Sequence, residues 1–416
     1  MAKQGNHTGN PRVSLVKVQG GPPFADITWI YEAVVRATEL LGGFGSIVTP
    51  GDSVLIKPNL VMPLPYTSGA TTNPAVVRAL VRLAKEFGAG RICIAESCEV
   101  GLDTAKIFAA TGIDAVAVEE NVELIDLKKD EPVAVLLPGA ELLRRFFLPK
   151  SVVAADVIIN VPVIKTHAEF PVTLGMKNMK GVLYDADKRK FHRKGLTAGI
   201  VDLYRAVRPE FTVADGTVAM EGFGPICGDP VNLGLIAAST DTMACDAVCC
   251  AVMGIDPLSV EYISAAYGLG LGEAVLSRIT VVGEDIAEVR RPFKRRTFAD
   301  VVKGGWCGII DQNACSGCHN AMATMINQLE KDNALRAIAE CVFVFGQKPE
   351  RPEPGQGEGK RLIFIGKCQR GLAKEGEKYF PGCPPGGIRM ADELSGKDKN
   401  QGGCACANHP GSAGTS

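Results

Sequence analysis

The chain of 416 residues carries 45 lysines and arginines against 46 aspartates and glutamates, and 46% of its residues are hydrophobic. These proportions exclude collagen, coiled coils and wholesale disorder, and a net charge of −1 argues against a general nucleic-acid-binding protein. The N-terminal residues are polar, and no apolar run approaches the ~20 residues that cross a bilayer. We therefore expect a cytoplasmic protein without membrane spans.

Residues 13–284 alternate short apolar runs with patterns typical of helices. The predicted strands are 14–18, 53–58, 91–96, 157–164, 211–214, 233–239 and 279–282. The predicted helices are 26–41, 74–87, 241–253 and 257–267. Several strands are almost continuously apolar, as expected when both faces of a sheet are covered. The alternation predicts an α/β fold with a mainly parallel, doubly wound sheet.

A second region begins near residue 297 and is interpreted as a smaller C-terminal α/β module rich in cysteine. Its predicted helices are 315–330 and 333–339, and its predicted strands are 341–345 and 361–365. The expected organisation is a flexible N-terminus (1–12), an α/β domain (13–296), the cysteine-rich module (297–394) and a disordered tail (395–416).

Eight of the 14 cysteines lie in the last 116 residues, and four of these have settings that suit metal ligation. Cys315 and Cys318 form a C-x-x-C motif at the start of a predicted helix, Cys368 follows a strand, and Cys383 precedes a proline. A two-residue spacer lets two thiolates face one metal, and a helix N-terminus stabilises their charge. In a reducing compartment, such a cluster indicates metal or redox chemistry rather than disulfides.

Three interpretations of these four thiols stay open. A [4Fe–4S] cluster is favoured by the proline after Cys383, which also ends bacterial ferredoxin cysteine runs. A structural zinc ion is the second, although zinc sites more typically show a second paired motif. Free or redox-switching thiols are the third. The roles of Cys307, Cys404 and Cys406 are undecided, and His409 could join the last two in binding metal opportunistically.

A basic segment follows the predicted strand 157–164. Lys165 and His167 come directly after the strand, where ligands bind in open α/β sheets, and Lys177, Asn178 and Lys180 share a short helix. Residues 165–194 contain eight lysines and arginines and only three acids, which predicts an anionic ligand such as a carboxylate or phosphate. His167 is a candidate general acid or base. The run 188–194 (KRKFHRK) is expected to be a solvated surface loop.

Two further strand ends carry polar residues. Lys57 and Asn59 follow or end the strand 53–58 and are candidates for binding substrate. Asp215 follows the predicted strand 211–214, and with Glu221 it could bind a metal or act as acid and base. The alternative is that Asp215 caps a turn and Glu221 faces solvent.

Several segments resemble one known family, catalogued as domain of unknown function 362. They are VLIKPNLV (54–61), NPAVVRALVRLAKEFGA (73–89), INVPVIKTH (159–167), TLGMKNMKG (173–181), RPEFTVADGTVAMEGFGP (208–225) and ASTDTMACDAV (238–248). The resemblance covers roughly residues 13–284. It implies an iron–sulfur protein of the kind common in anaerobic bacteria and archaea. The chain departs from many relatives in lacking a ferredoxin-type C-x2-C-x2-C-x3-C run.

Three functional hypotheses follow. The first is an anaerobic redox enzyme in which a [4Fe–4S] centre serves a pocket for an anionic small molecule. The second is an electron-transfer or cluster-handling accessory protein without its own substrate. The third is a metal-dependent non-redox enzyme with a structural zinc module. The expected partners are the anionic substrate and a redox protein such as a ferredoxin, with no nucleic acid and no membrane.

Overall fold

The computed structural model describes residues 9–353 and 355–397. The chain forms two compact units divided between Lys294 and Arg295. In the described residues, no helix has the length and apolar character that crossing a membrane requires.

The strands of the first unit are β1 (Arg12–Lys17), β2 (Ser53–Pro58), β3 (Arg91–Glu96), β4 (Glu123–Asp126), β5 (Pro132–Leu136), β6 (Arg145–Pro149), β7 (Val157–Val161), β8 (Val163–Thr166), β9 (Val172–Thr173), β10 (Phe211–Glu221), β11 (Asp229–Val231), β12 (Leu235–Ser239) and β13 (Thr280–Gly283). Its helices are α1 (Ile27–Glu39), α2 (Pro74–Glu86), α3 (Thr104–Thr111), α4 (Ile113–Glu119), α5 (Lys150–Ala154), α6 (Gly175–Asn178), α7 (Asp185–Lys194), α8 (Leu196–Ala206), α9 (Thr242–Val252), α10 (Glu261–Gly268) and α11 (Ile286–Val289).

The central sheet of this unit has the strand order β13-β1-β12-β10-β7-β2-β3-β4. Strands β4, β3, β2, β7 and β10 run parallel to one another, whereas β12 is antiparallel to both of its neighbours. A separate hairpin joins β5 and β6. The prediction of a mainly parallel sheet is therefore confirmed, with β12 as the exception.

Alternate residues of the strands feed two hydrophobic cores. Leu55 and Ile158 enter the core beneath α7–α10, and Val54, Ile56 and Ile159 enter the core beneath α1–α4. Because successive side chains of a strand point to opposite faces, a sheet with two apolar faces must be covered on both sides. This arrangement confirms the doubly wound architecture.

The helix that precedes the site begins and ends where its sequence dictates. Asn73 accepts a hydrogen bond from Ala75 N and caps α2, and Pro74 fills the first helical position, where no N–H partner is required. The predicted helix 74–87 and the observed Pro74–Glu86 differ by one residue at the C-terminus.

Two strands differ from the prediction by more than a shift of one or two residues at an end. The run 157–164 is two strands, β7 and β8, because Pro162 has no N–H to give to a ladder; its carbonyl accepts Asp215 N at 2.8 Å. Strand β10 continues to Glu221, seven residues past the predicted end at 214. Asp215 and Lys165 therefore lie inside strands β10 and β8 and not after a strand as predicted.

The second unit is built on a wholly parallel sheet in the order β14 (Gly308–Gln312), β15 (Cys341–Gly346), β16 (Arg361–Ile365) and β17 (Lys378–Phe380). Its helices are α12 (Phe298–Val302), α13 (Ser316–Lys331) and α14 (Gly387–Ser395). Thr297 and Asp300 form a capping box at the start of α12. This confirms the predicted α/β character of the C-terminal module.

Candidate functional site

The parallel strands β2, β3 and β7 are neighbours, so their carboxyl ends lie at the same edge of the sheet. This edge carries Lys57 on β2, Glu96 on β3 and Asn160 on β7, and Lys57 stands opposite Asn160 in the ladder. All three polar side chains are buried. Ligands of open α/β sheets bind beyond the carboxyl ends of the strands, and these three side chains lie at such ends. Glu96, the last residue of β3, was not among the predicted site residues, although its position at a strand end is visible in the sequence.

Lys57 is buried at this edge and is held by the protein itself. Its Nζ donates hydrogen bonds to Glu96 Oε2 at 3.0 Å, Pro58 O at 3.0 Å and Asn178 Oδ1 at 3.4 Å. Burial lowers the pKa of Lys57, and the charge of Glu96 opposes that shift. Because an ammonium has three donors, Lys57 has none left for the substrate that the sequence analysis assigned to it.

The short helix α6 is fixed by a chain of buried amides and a carboxylate. Asn178 Nδ2 donates to Asn160 Oδ1 at 2.8 Å, and Asn160 Nδ2 donates to Gly175 O at 3.0 Å. Asp246 accepts Gly175 N at 2.7 Å and Met176 N at 2.9 Å, and burial raises the pKa of this carboxyl to about 7. The network sets the position of Lys177, the next residue of the helix.

We use the name basic cluster for Lys165, His167, Lys177, Lys180 and His192. The charges of the three lysines and of His192 act on His167, that of Lys177 most strongly, so the five side chains share one neighbourhood. Lys165 and His167 are buried, and the others are half-buried. Four of these residues are sequence-predicted site residues, and the tertiary structure brings them together.

The lysines of the basic cluster have N–H donors to spare. Lys165 Nζ donates to Ala70 O at 2.6 Å, and Lys180 Nζ lies 2.6 Å from His192 Nε2. Within the described residues, Lys177 makes no hydrogen bond or salt bridge, and Glu99 and Glu169 influence it through space. These ammonium groups can therefore accept an anion without breaking existing contacts.

Burial dominates the acid–base behaviour of the lysines in this cluster. It lowers the pKa of Lys165 well below the usual range, and the charge of Lys177 acts in the same direction. The pKa of Lys177 is lowered to about 7 by burial first and the charge of Lys180 second. Burial also lowers the pKa of Lys180. Each charged form would be favoured by an incoming anion.

The ring of His167 has a defined tautomer. Its Nδ1 accepts the backbone N–H of Glu169 at 3.0 Å, which leaves the proton of the neutral ring on Nε2. Burial and the charges of Lys177 and Lys180 lower the pKa of His167 well below its usual range. At neutral pH His167 therefore offers an N–H donor. His167 was predicted as a candidate general acid or base. This tautomer can donate a hydrogen bond from Nε2, and the lone pair of Nδ1 is already occupied by the Glu169 N–H, so none is free to abstract a proton.

The run 188–194 lies within helix α7, so the expectation that it forms a solvated loop is wrong. Lys188 is buried and donates to Ser97 O, to Ser97 Oγ at 2.7 Å and to Cys98 O at 2.6 Å. His192, one helical turn later, faces Lys180. Residues four apart lie on the same face of a helix, so the spacing of Lys188 and His192 was the sequence signal that could have predicted this helix.

Two side-chain oxygens, one on β9 and one just after β2, are buried without a hydrogen-bond partner in the described part of the chain. One is Thr173 Oγ1, on the residue paired with Lys165 in the β8–β9 ladder. The other is Asn59 Oδ1, whose backbone N–H is hydrogen-bonded to Thr72 Oγ1 at 2.8 Å. Unsatisfied buried groups are rare and point to a missing ligand or water.

Asp215 and Glu221 have partners that explain them structurally. Asp215 accepts Asn73 N at 2.7 Å and the N–H and hydroxyl of Thr217 at 2.9 and 2.7 Å. Burial raises the pKa of Asp215, and these hydrogen bonds oppose the shift. Glu221 accepts Lys294 N at 3.0 Å. Backbone and hydroxyl donors therefore occupy the Asp215 carboxylate, and a metal-binding or acid–base role for it stays a prediction. Glu221 is buried, so the alternative that it faces solvent is wrong.

In the second unit, Cys315 is the N-cap of α13 and Cys318 lies in its first turn. The Cys318 thiol donates to the Cys315 sulfur, which also accepts N–H groups of the first turn; these contacts lower the pKa of Cys315 to about 6. The shared proton and burial raise the pKa of Cys318, and the charges of Cys368 and Cys383 add to the shift. The four predicted ligands therefore lie within electrostatic range of one sulfur.

Backbone contacts support this convergence. A Cβ on Gly366, two residues before Cys368, would lie 3.2 Å from Cys318 Sγ. A Cβ on Gly317 would lie 3.3 Å from Pro384, which follows Cys383. Two glycines thus permit the three segments to meet around the C-x-x-C motif.

Among the described residues, the remaining cysteines supply no further candidate ligand, and the four thiols do not by themselves form a ready-made metal-holding group. Burial raises the pKa of Cys307 to about 12, and Cys341 contributes to the shift. Cys404, Cys406 and His409 lie outside the described residues. Across residues 9–353 and 355–397, no three His, Cys, Asp or Glu side chains stand in a ready-made metal-holding group.

The chain is similar to one protein family and to two known proteins. Residues 54–251 match the family described as domain of unknown function 362. A thylakoid-associated protein of Synechocystis sp. is 33% identical over 246 residues, covering 56% of this chain and 73% of that protein. The lactate racemase apoprotein from Thermoanaerobacterium thermosaccharolyticum aligns with 93% of this chain and 90% of its own, at a TM-score of 0.37 and 11% identity. The family match includes the whole basic cluster.

Proposed function

We propose that this chain, which belongs to the family of domain of unknown function 362, is an iron–sulfur enzyme acting on an anionic small molecule. The family's name assigns no reaction, so the support for the proposal comes from the site itself. The observation that carries the proposal is the basic cluster, in which Lys165, Lys177 and Lys180 are gathered with unused N–H donors. Enclosing like charges is costly unless the amines lose their protons, as their lowered pKa values allow, or an anion compensates them. The cluster is therefore a binding site for such an anion.

The donors around the basic cluster set the character of the ligand. Ammonium groups and the Nε2–H of His167 can only donate, so they require acceptor oxygens such as those of carboxylate or phosphate. The unpartnered Thr173 hydroxyl, opposite Lys165, can complement a polar substituent. The ligand is thus expected to carry several oxygen atoms.

Calorimetric titration with oxalate and inorganic phosphate tests this site. We expect either anion to bind the full-length protein, and Lys180→Gln to weaken binding at least tenfold, the loss of about 1.4 kcal/mol typical of a charge-assisted hydrogen bond. The control is Lys129→Gln, which removes an exposed lysine of the same unit. Absence of binding, or equal binding by the Lys180 variant, contradicts the proposal.

The four thiols fit a metal centre by their chemistry. Cys315, with its pKa of about 6, is a ready thiolate, and Cys318, Cys368 and Cys383 supply three more sulfur donors in its neighbourhood. We propose that these residues hold a [4Fe–4S] cluster, which supplies one-electron transfer when bound. A zinc ion on the same four thiols is the alternative, since zinc accepts four cysteine ligands.

Anaerobic purification separates the two metals. An iron–sulfur protein is expected to be brown, with about four irons and four sulfides per chain, and Cys383→Ser should lower the iron content. Cys307→Ser is the matched control, because it removes a thiol from the same unit without touching the four candidates. A colourless protein with one zinc per chain refutes the iron–sulfur assignment.

A second function, electron transfer or cluster handling without a substrate, remains as the alternative. It shares the thiols but gives no role to the basic cluster, so it predicts that His167→Ala leaves reduction by a ferredoxin unchanged and that no small anion binds. For location we propose the cytoplasm. The name of the Synechocystis relative associates that protein with thylakoids, so cell fractionation is the test.

A further inference from the structure

Lys177 of the basic cluster differs in its contacts from the other lysines of the cluster and from the two buried lysines nearby, Lys57 and Lys188. Lys57 and Lys188 each spend three hydrogen bonds on the protein, and Lys165 and Lys180 each have one fixed partner. The side chain of Lys177 has none among the described residues, where only the charges of neighbouring groups act on it. A lysine held by no acceptor is free to react through its nitrogen.

The surroundings of Lys177 favour its neutral amine. It is half-buried on α6 between Met176 and Asn178, both buried, and the ammonium groups of Lys180 and Lys165 lie in its neighbourhood. The opposing charges are those of Glu169 and Glu99, which raise the pKa of Lys177. Burial next to other cations is the setting in which enzymes use lysine as a nucleophile toward carbonyl groups.

His167 provides a hydrogen-bond donor for the carbonyl oxygen of the compound that the lysine attacks. The Nδ1 bond from Glu169 directs the N–H of the neutral ring to Nε2, and the charge of Lys177 is the strongest charge acting on this ring. A donor beside the nucleophile stabilises the negative charge that develops on a carbonyl oxygen during attack.

We infer that the site accepts an anionic carbonyl compound, such as a 2-oxo acid, whose carboxylate is held by Lys165 and Lys180 and whose carbonyl carbon is attacked by Lys177. The inference rests on the proposed anion site and narrows its substrate class. The nitrogen lone pair forms the C–N bond while the C=O electron pair moves to oxygen. Loss of that oxygen as water, with the two amine protons, gives the imine. No oxidant or reductant takes part.

Trapping with glyoxylate tests the inference on the full-length protein. Glyoxylate is an anionic aldehyde, and added cyanoborohydride reduces its imine to a stable carboxymethyl group that peptide mass spectrometry locates. At pH 7 about half of an amine with a pKa of about 7 is neutral, against about one in 2,500 for an ordinary lysine. We expect Lys177 to be modified at least tenfold faster than any exposed lysine, and excess oxalate to protect it.

Matched variants make the outcome specific. Lys177→Arg keeps the positive charge but cannot form an imine, so its adduct should vanish; its affinity for oxalate is measured in parallel. Lys129→Arg should change neither. If oxalate binds the wild type but Lys177 is not preferentially modified, the inference fails and the anion site stands. If neither oxalate nor glyoxylate binds, the inference and the proposed function fail together.

Discussion

Lys57 Nζ donates a 3.0 Å hydrogen bond to Glu96 Oε2 in the interior of the first unit, and the two side chains are 0% and 3% exposed. The pair links the ends of neighbouring strands β2 and β3, and Lys57 extends the link to Asn178 on α6. The ion pair is thus a support of the helix that carries Lys177. It holds the site and does not compete for the ligand.

Breaking this pair from one side should be costly. Lys57→Met leaves the buried Glu96 carboxylate without its cation, and we expect unfolding free energy to fall by about 3–5 kcal/mol. Urea unfolding followed by circular dichroism measures the change. The double variant Lys57→Met, Glu96→Met should recover much of the loss, because it leaves no unpaired buried charge. Equal destabilisation of the single and double variants contradicts this account.

Gly181 is required for the same pair to fit. A Cβ at this position would overlap Glu96 Oε1 and lie 2.6 Å from Lys57 Nζ. Gly181→Ala should therefore lower the unfolding free energy by about 1–3 kcal/mol through overpacking. Gly268→Ala, at the end of α10 where a Cβ meets nothing within 4 Å, is the control and should be neutral or stabilising. Equal effects of the two substitutions would argue against the packing constraint.

Lys177 should make stability depend on pH in a defined direction. Its pKa is about 7 in the folded protein, below the ~10.4 of an unfolded chain, so the unfolded state binds the extra proton between these values. The resulting penalty is fully present below pH 7 and fades as pH rises toward 10. We expect Lys177→Met to stabilise the protein by ~2–4 kcal/mol at pH 6 and by much less at pH 10.

Chemical denaturation at several pH values measures the difference between wild type and Lys177→Met. The two proteins share every other titrating group, including Asp246 with its pKa of about 7, so the difference in slope reports Lys177 together with the shifts that its charge imposes on the pKa values of Lys165 and His167. The exposed Lys129 provides the control substitution. A stabilisation that grows with rising pH has the wrong sign and would exclude a buried, cation-flanked Lys177.

Asp246 is expected to position Lys177 through the backbone of α6. Asp246→Asn replaces one acceptor of the Gly175 and Met176 N–H groups with a donor, which should cost about 1–3 kcal/mol and weaken oxalate binding. Asp103→Asn changes an exposed cap of α3 and should alter neither quantity, since Asn caps as well as Asp. Loss of stability with unchanged oxalate affinity would show that Asp246 supports the fold alone.

Part of the arrangement of strands and helices was readable from the sequence, which did not predict β4, β5, β6, α3, α4 or α8. Continuous apolar runs and capping residues such as Asn73 are local signals, so β2, β3 and α2 were predicted to within a residue. Helix α7 was missed because its basic run has no apolar stripe; its buried face is made by Lys188 and Phe191. Strand β10 was cut short because its polar Asp215 is satisfied by Asn73, 142 residues away.

The sequence by itself determined the fold class, the segment that contributes Lys165 and His167 to the basic cluster, and the C-x-x-C motif at a helix start. Only the tertiary structure decided which lysines are available to a ligand. Lys57 and Lys177 are both lysines beside the same edge, yet one spends three hydrogen bonds on the protein and the other spends none within the described chain. Hydrogen-bond partners and desolvation depend on residues distant in sequence, and local patterns carry no record of them.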